Sequence, residues 1–363
     1  MQAKLGQSPP GTIAFDYLER PNDDAFYRDR SPIYRADRIT VPVLDIGGWR
    51  DGLLRGAPEM YGALAGRRGV ETRMVIEPCT HKGCGAPFAP LTDPPGQADT
   101  TALIFEFLDR DLRGTRTPDR APVSVHVQGA NTRLESDRWP PRGTRFLALR
   151  LVAGEASYVT NPAAGFSLAL NQYGTVAATP YVPLDQRLEG PQGVTVRTSA
   201  LARPLRIAGP IALHLRAAST AADTDWHAKL ADVAPDGTES IITEGSLRAS
   251  HRALDRRRSR PGRPYHPHTD PTPIEPGRFY DYAIEIAPTA YELAPGHRLQ
   301  VRITSTDLPT HLPGSVRLDR ANPAATRIDL NAPARNTLDL DRSRLLVPTT
   351  GAAPASLAGR PAN

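Results

Sequence analysis

The stretch from Ile39 to Gly85 constrains this chain more than any other. Two short apolar runs, Val41 to Ile46 and Arg73 to Ile76, each end in a tight polar turn. The first turn is Gly47-Gly48-Trp49-Arg50-Asp51-Gly52 and the second is Glu77-Pro78-Cys79-Thr80-His81. Between them, Pro58 to Gly66 reads as a helix that begins near a proline and stops at a glycine. The order is strand, turn, helix, strand, turn, which predicts two parallel strands joined by a crossover helix. Asp51 and His81 then stand just past the carboxyl ends of the two strands. Ligands of open α/β sheets bind at that edge.

A second helix is expected over Asp99 to Arg113. Leu103, Ile104, Phe107, Leu108 and Leu112 recur at helical spacing, and Gly114 ends the run. Two parallel strands and two helices bury too little apolar surface to offset chain entropy. Parallel strands also need cover on both faces. Residues 39–116 therefore read as the C-terminal fragment of an α/β sheet domain completed from elsewhere. Residues 1–38 are polar and punctuated by Pro9-Pro10, Pro21 and Pro32, as in a lid tail or linker, with a short helix expected after Asn22.

From Ala121 onward the pattern changes. Short runs recur between Gly, Pro, Asp and Asn clusters: Val123–Val127, Arg145–Leu151, Val194–Thr198, Ile211–Ala217, His227–Val233, Ser240–Arg248, Phe279–Ile286, Leu299–Thr304 and Thr326–Leu330. Regularly punctuated short strands predict an all-β jelly-roll sandwich over residues 117–348. Ala234-Pro235-Asp236-Gly237 predicts a hairpin turn, because Pro sets φ and Gly accepts positive φ. Pro295-Gly296 marks another turn. The arginine-rich run Arg252 to Pro276 reads as a long loop, and residues 349–363 as a disordered tail.

The net charge of +5 comes almost wholly from arginine, since Lys4, Lys82 and Lys229 are the lysines. Basic residues are interleaved with Asp and Glu, so no nucleic-acid surface is expected. No run of about 18 apolar residues is present, so no membrane span is expected. The segment MQAKLGQSPPG has no apolar h-region, which points to cytoplasm with the true N-terminus left open.

Cys79 and Cys84 flank His81, but a structural zinc site needs four ligands and no second pair exists. They read as incidental thiols beside a turn, because a disulfide is not expected in a cytosolic chain. His266 and His268 are two potential metal ligands that read as exposed loop histidines. No metal and no cofactor is predicted.

Gly47-Gly48-Trp49-Arg50-Asp51-Gly52 followed by Glu77-Pro78-Cys79-Thr80-His81-Lys82-Gly83 resembles the GGWYDG and GPWTHG motifs of the X-Pro dipeptidyl-peptidase and cocaine-esterase family of serine hydrolases. The resemblance continues through Asp223 to Leu230, Asp232-Val233 and Pro235-Asp236-Gly237, similar to the family's DTDF, AKL, DV and PDG stretches. Leu293 to Leu299 resembles its PGHR motif, Ser305 to Pro309 the segment that follows, and Asn322-Pro323 and Asn336-Thr337 its closing part. The resemblance runs from about residue 22 to 348. It implies an α/β-hydrolase domain followed by a galactose-binding-like jelly roll. It also implies a Ser-Asp-His triad in which Asp51 orients His81, and His81 is the general base and then the general acid. Asp before His matches the chain order of such triads.

The departures are informative. The family's nucleophile sits on a G-x-S-x-G elbow before the Asp. Only Ser8 and Ser31 precede His81 here, and neither has the flanking glycines. Glu77 replaces the motif's Gly, and Cys79 its Trp. The expectation is thus the C-terminal part of a serine hydrolase: Asp51 and His81 are present, the nucleophile Ser is absent, and the chain alone is inactive. A truncated, frameshifted or separately encoded front part would explain this. The expected substrate of the completed enzyme is a small acyl ester or amide, or an X-Pro peptide. The expected partner is a companion chain or a second copy. The alternative is a free-standing jelly-roll binding module with a vestigial hydrolase segment. Trp226, Tyr265, Phe279, Tyr280 and Tyr282 are the aromatics it would have to use for sugar stacking, and they read as core and strand residues.

Overall fold

A computed structural model describes residues 19–80, 98–152, 154–160, 193–307, 314–317, 327–330, 332–351 and 357–361. Helix α1 (Ala25–Arg30) is capped by Asp24, whose carboxylate accepts from the Phe26 amide at 2.8 Å, and not by Asn22. A 3-10 turn over Pro32–Arg38 leads into strand β1 (Val43–Arg50). Helix α2 (Gly56–Leu64), strand β2 (Thr72–Thr80) and helix α3 (Thr100–Arg113) follow in the expected order. Asp99 caps α3 by accepting from the Ala102 amide at 3.0 Å, and Gly114 ends it at φ 66 in the left-handed region that favours glycine.

Strands β1 and β2 pair in parallel, as their apolar character predicts. The sheet does not stop there. Strand β3 (Val123–Val127) adds in parallel beside β2, and β4 (Thr132–Ser136) adds antiparallel beside β3. The α/β portion therefore holds three parallel strands rather than two, and the boundary expected at 116/117 does not mark a change of sheet. Val123, Val125 and Val127 are fully buried on one face of β3, and His126 is fully buried on the other. Trp49, Leu54, Tyr61, Met74 and Ile76 complete this smaller core.

The remaining described residues are mostly β. In order come β5 (Arg145–Leu151), β6 (Glu155–Val159), β7 (Val194–Thr198), β8 (Leu205–Ser219), β9 (Asp225–Val233), β10 (Glu239–Arg248), β11 (Tyr280–Leu293), β12 (Arg298–Thr304), β13 (Gly314–Arg317), β14 (Arg327–Leu330), β15 (Arg335–Thr350) and β16 (Leu357–Pro361). Ten of these form one sheet in the order β10-β9-β12-β7-β16-β5-β15-β8-β11, with β6 paired to β15, while β13 and β14 form a separate hairpin. The sheet curls until its terminal strands meet. A Cβ built on Gly245 of β10 would lie 2.0 Å from the Glu285 carbonyl oxygen of β11. Thr243 of β10 donates to the Ala287 carbonyl at 2.9 Å. Trp226, Tyr282, Leu213, Ile284, Leu299 and Leu345 are among the residues of the core enclosed by this curl.

Gly237, at φ 86, closes the β9–β10 hairpin as expected. Pro295-Gly296 also turns the chain, with Gly296 at φ 83, but it joins strands that do not pair: β11 lies against β8, and β12 between β7 and β9. Residues 357–361 pair with β5 and β7, so this part of the expected disordered tail is ordered. The two sheets touch where the Gln128 amide donates to the Ala290 carbonyl at 3.0 Å and the Glu292 amide to the Gln128 carbonyl at 2.9 Å. Among the described residues, no helix is long and apolar enough to cross a membrane.

Candidate functional site

The two glycines of the first turn are explained by a close approach of β1 and β2. A Cβ on Gly48 would lie 2.3 Å from the Cys79 carbonyl oxygen, and one on Gly47 3.0 Å from Ile76 Cδ1. With no side chain there, the two strand ends run side by side, and the last paired residues are Arg50 and Thr80. Trp49 anchors the turn from below, donating from Nε1 to the His126 carbonyl at 2.7 Å and packing against Trp139.

Asp51 is the next residue after β1. Its amide donates to the Gly48 carbonyl at 3.1 Å, and its Oδ1 accepts from the Leu53 amide at 2.9 Å. The carboxylate is thereby fixed at the carboxyl edge of the sheet in a local turn. His81 follows Thr80, the last residue of β2, in sequence, and it lies outside the described residues. So does Cys84. Cys79 is disulfide-bonded rather than a free thiol, which overturns the reading of incidental thiols.

Glu77, the departure from the motif's glycine, is fully buried. Its carboxylate accepts from Arg133 Nη2 at 2.6 Å, reaching past β3 to β4, and from the Ala98 amide at 3.2 Å. A buried carboxylate needs this pairing, so Glu77 braces the sheet beneath the turn.

In the sequence Arg50 looks like one more arginine of the turn. Its Nε and Nη1 are buried with no hydrogen-bond partner, and burial pulls its guanidinium below the ordinary range. Asp45, earlier on β1, also has a buried oxygen without a hydrogen-bond partner, and burial pushes it up to about 6. Among the described residues, β1 pairs on one side only, with β2. No residue of α3 is buried, and Ile104, Phe105, Leu108 and Leu112 are exposed.

The motifs of the large sheet are structural. Asp223 accepts from Arg248 Nε and from the Ser250 amide, both at 2.8 Å. Lys229 pairs with Asp307 at 2.8 Å, both buried. Asp232 lies 2.8 Å from His297 Nδ1 and accepts from the Tyr291 hydroxyl at 3.0 Å. The Tyr291 hydroxyl is pushed above its ordinary range by burial and by that carboxylate. Trp226 and Tyr282 are fully buried, so neither offers a face for sugar stacking.

The architecture is a parallel α/β sheet with Asp51 at its carboxyl edge, joined to a large β domain. Comparison with known proteins names it. The profile of the X-Pro dipeptidyl-peptidase C-terminal non-catalytic domain matches residues 116–344, and that of the X-Pro dipeptidyl-peptidase S15 family matches residues 2–83. The chain belongs to the X-Pro dipeptidyl-peptidase and CocE/NonD family of serine hydrolases. It is 26% identical over 341 residues to the cocaine esterase of Rhodococcus sp. (strain MB1 Bresler), covering 85% of this chain and 56% of that protein. It is 28% identical over 287 residues to a putative serine esterase of Mycobacterium bovis, covering 71% and 45%. The chain thus spans about half the length of the curated relatives it matches. Its fold is similar to that of an aminopeptidase from a Thaumarchaeota archaeon (TM-score 0.75, 21% identity, 96% of this chain and 61% of that one). It is also similar to an α-amino-acid ester hydrolase (TM-score 0.73, 22% identity, 96% and 62%).

Proposed function

We propose that this chain supplies the acid–base side of a serine hydrolase acting on ester, amide or peptide bonds. In this reading Asp51 fixes the tautomer of His81 and stabilises its imidazolium. His81 takes the proton of a serine hydroxyl and returns it to the leaving group. The serine is contributed by a segment outside this sequence, since no G-x-S-x-G precedes Asp51. Residues 1–38 serve as the lid tail, residues 39–116 as the end of the hydrolase domain, and the large sheet as a galactose-binding-like jelly roll that shapes one wall of the cleft. The substrate is a small acyl ester or amide, or an X-Pro peptide.

The observation that carries this reading is the Gly48–Cys79 approach, which brings the ends of β1 and β2 together with Asp51 at their edge. The one-sided β1 and the exposed apolar stripe of α3 support it further. A parallel sheet extended beyond β1 would cover both, so the partner is a polypeptide carrying the front strands and the serine elbow.

Reconstitution tests it. Mixing the chain with a polypeptide that carries such a front half should restore hydrolysis of chromogenic esters or X-Pro anilides. Asp51→Asn should lower the restored kcat by about 10⁴-fold, as loss of the orienting carboxylate does in such triads, and His81→Ala should abolish it. Restored turnover that is indifferent to both substitutions would contradict the assignment.

A further inference from the structure

The loop between β10 and β11 brings together three histidines. His251 ends a 3-10 turn, Ala249–His251, directly after β10. His266 and His268 come from the arginine- and proline-rich excursion. The sequence pairs His266 with His268 as neighbours, but the fold separates their roles. His266 is buried, with Nδ1 2.9 Å from the Ala253 carbonyl and Nε2 2.8 Å from the Ala283 carbonyl. Both of its ring nitrogens are occupied, so it has nothing left to offer a metal.

His268 is different. Its backbone sits at φ 54, a left-handed conformation that non-glycine residues adopt uncommonly. Its carbonyl accepts from the Asp23 amide at 3.0 Å, which ties the loop to the start of α1. The result is that His268 Nδ1 stands 3.2 Å from His251 Nδ1, with ring centroids 5.2 Å apart and the planes inclined at 40°. Two imidazole nitrogens at that spacing can share one proton. They also match the bite of a metal ion: at Zn–N bonds of about 2.0–2.1 Å, tetrahedral geometry sets N···N at about 3.3 Å.

His268 is exposed and His251 half-buried, which leaves room for solvent ligands. Among the described residues no group of three His, Cys, Asp or Glu side chains converges. A closed structural site is therefore not what this geometry offers.

We propose that His251 and His268 form a two-nitrogen chelate for a borderline divalent transition ion (Zn²⁺, Ni²⁺ or Cu²⁺), the remaining positions being taken by water. Imidazole suits these ions, and hard ions such as Mg²⁺ or Ca²⁺ prefer oxygen. The proposal does not depend on the hydrolase assignment. Its consequence is mechanical: an ion there would pin the long loop to the end of β10.

Calorimetric titration of the chelator-stripped chain with Ni²⁺ near neutral pH tests this. One saturable site is expected. His251→Gln and His268→Asn should each weaken it by about 10–100-fold, the range seen even for loss of outer-shell partners. Asn is chosen because it tolerates the left-handed backbone. His297→Gln, in a different turn, should leave binding unchanged. Cu²⁺ loaded in place of Ni²⁺ should show electron-spin couplings from two imidazole nitrogens, lost in the double variant. Circular dichroism checks the fold of each variant, and if His251→Gln loses it, His268→Asn alone decides. No saturable binding, or binding unchanged in the folded double variant, overturns the proposal.

Discussion

The two sheets of this molecule solve the problem of exposed edges in opposite ways. The ten-stranded sheet curls until β10 and β11 meet at Gly245, so its ends protect each other. The four-stranded sheet leaves β1 paired on one side among the described residues, with Arg50 and Asp45 carrying buried atoms that find no partner. Its flanking helix α3 buries none of its residues. A closed sheet supplies its own core, whereas an open parallel sheet advertises where more protein belongs. Asp51, the candidate catalytic residue, sits on the open sheet.

The sharpest way to break this contrast is to attack the closed sheet. Lys229→Ala removes the buried ammonium that pairs with the buried Asp307 carboxylate, and breaking such a pair costs about 3–5 kcal/mol. Thermal melting should show the large sheet lost cooperatively. Gly245→Ala forces a methyl onto the Glu285 carbonyl, a clash with backbone that cannot rotate away, and should cost about 1–3 kcal/mol in the same melting transition. Gly48→Ala makes the equivalent clash with Cys79 on the open sheet. There the damage should stay local, seen as a change in Trp49 fluorescence and loss of reconstituted activity while the melt of the large sheet is preserved.

Smaller effects separate stability from assembly. Leu108→Arg on α3 should change the melting of the chain by no more than about 0.5 kcal/mol, as exposed substitutions do. It should nevertheless block reconstitution, which would not follow if that face were simply solvent-facing. Asp45→Asn has a pH signature. Burial raises the Asp45 carboxyl from 3.8 to about 6, so the folded chain binds more protons than the unfolded one across that window. Stability conferred by the protonated form is present below the window and lost as pH rises through it. The Asn variant should therefore melt higher at neutral pH, by about 1 kcal/mol after solvent screening, and match the parent in acid.

Much of this was legible in the sequence, and the failures have physical causes. Turn chemistry located β1, β2, α2 and α3, because Gly, Pro and Asp act locally. The crossing of Val123–Val127 into the first sheet was not legible, since an apolar strand carries no mark of which sheet it joins. Strand β15 is not legible in the sequence, although Leu338, Leu340, Leu345 and Val347 are fully buried. Its period is broken by a register shift between Asp339 and Arg344, which puts charges in the middle of the pattern. Strand β16 is short and rich in Ala and Gly, and its pairing with β5 and β7 is decided by tertiary contact alone. At the site, Asp51 and its turn followed from the motif. The burial of Arg50 with two nitrogens lacking a hydrogen-bond partner did not, because burial is a property of surroundings and not of residue type.

The assignment of Asp51 and His81 to half of a catalytic site is tested most directly by labelling the chain alone with a fluorophosphonate probe. Such probes react with a serine activated by its own His. No His81-dependent labelling of any serine is expected. Labelling of one serine in the isolated chain, abolished by His81→Ala, would show that the chain holds a nucleophile of its own and would contradict the account.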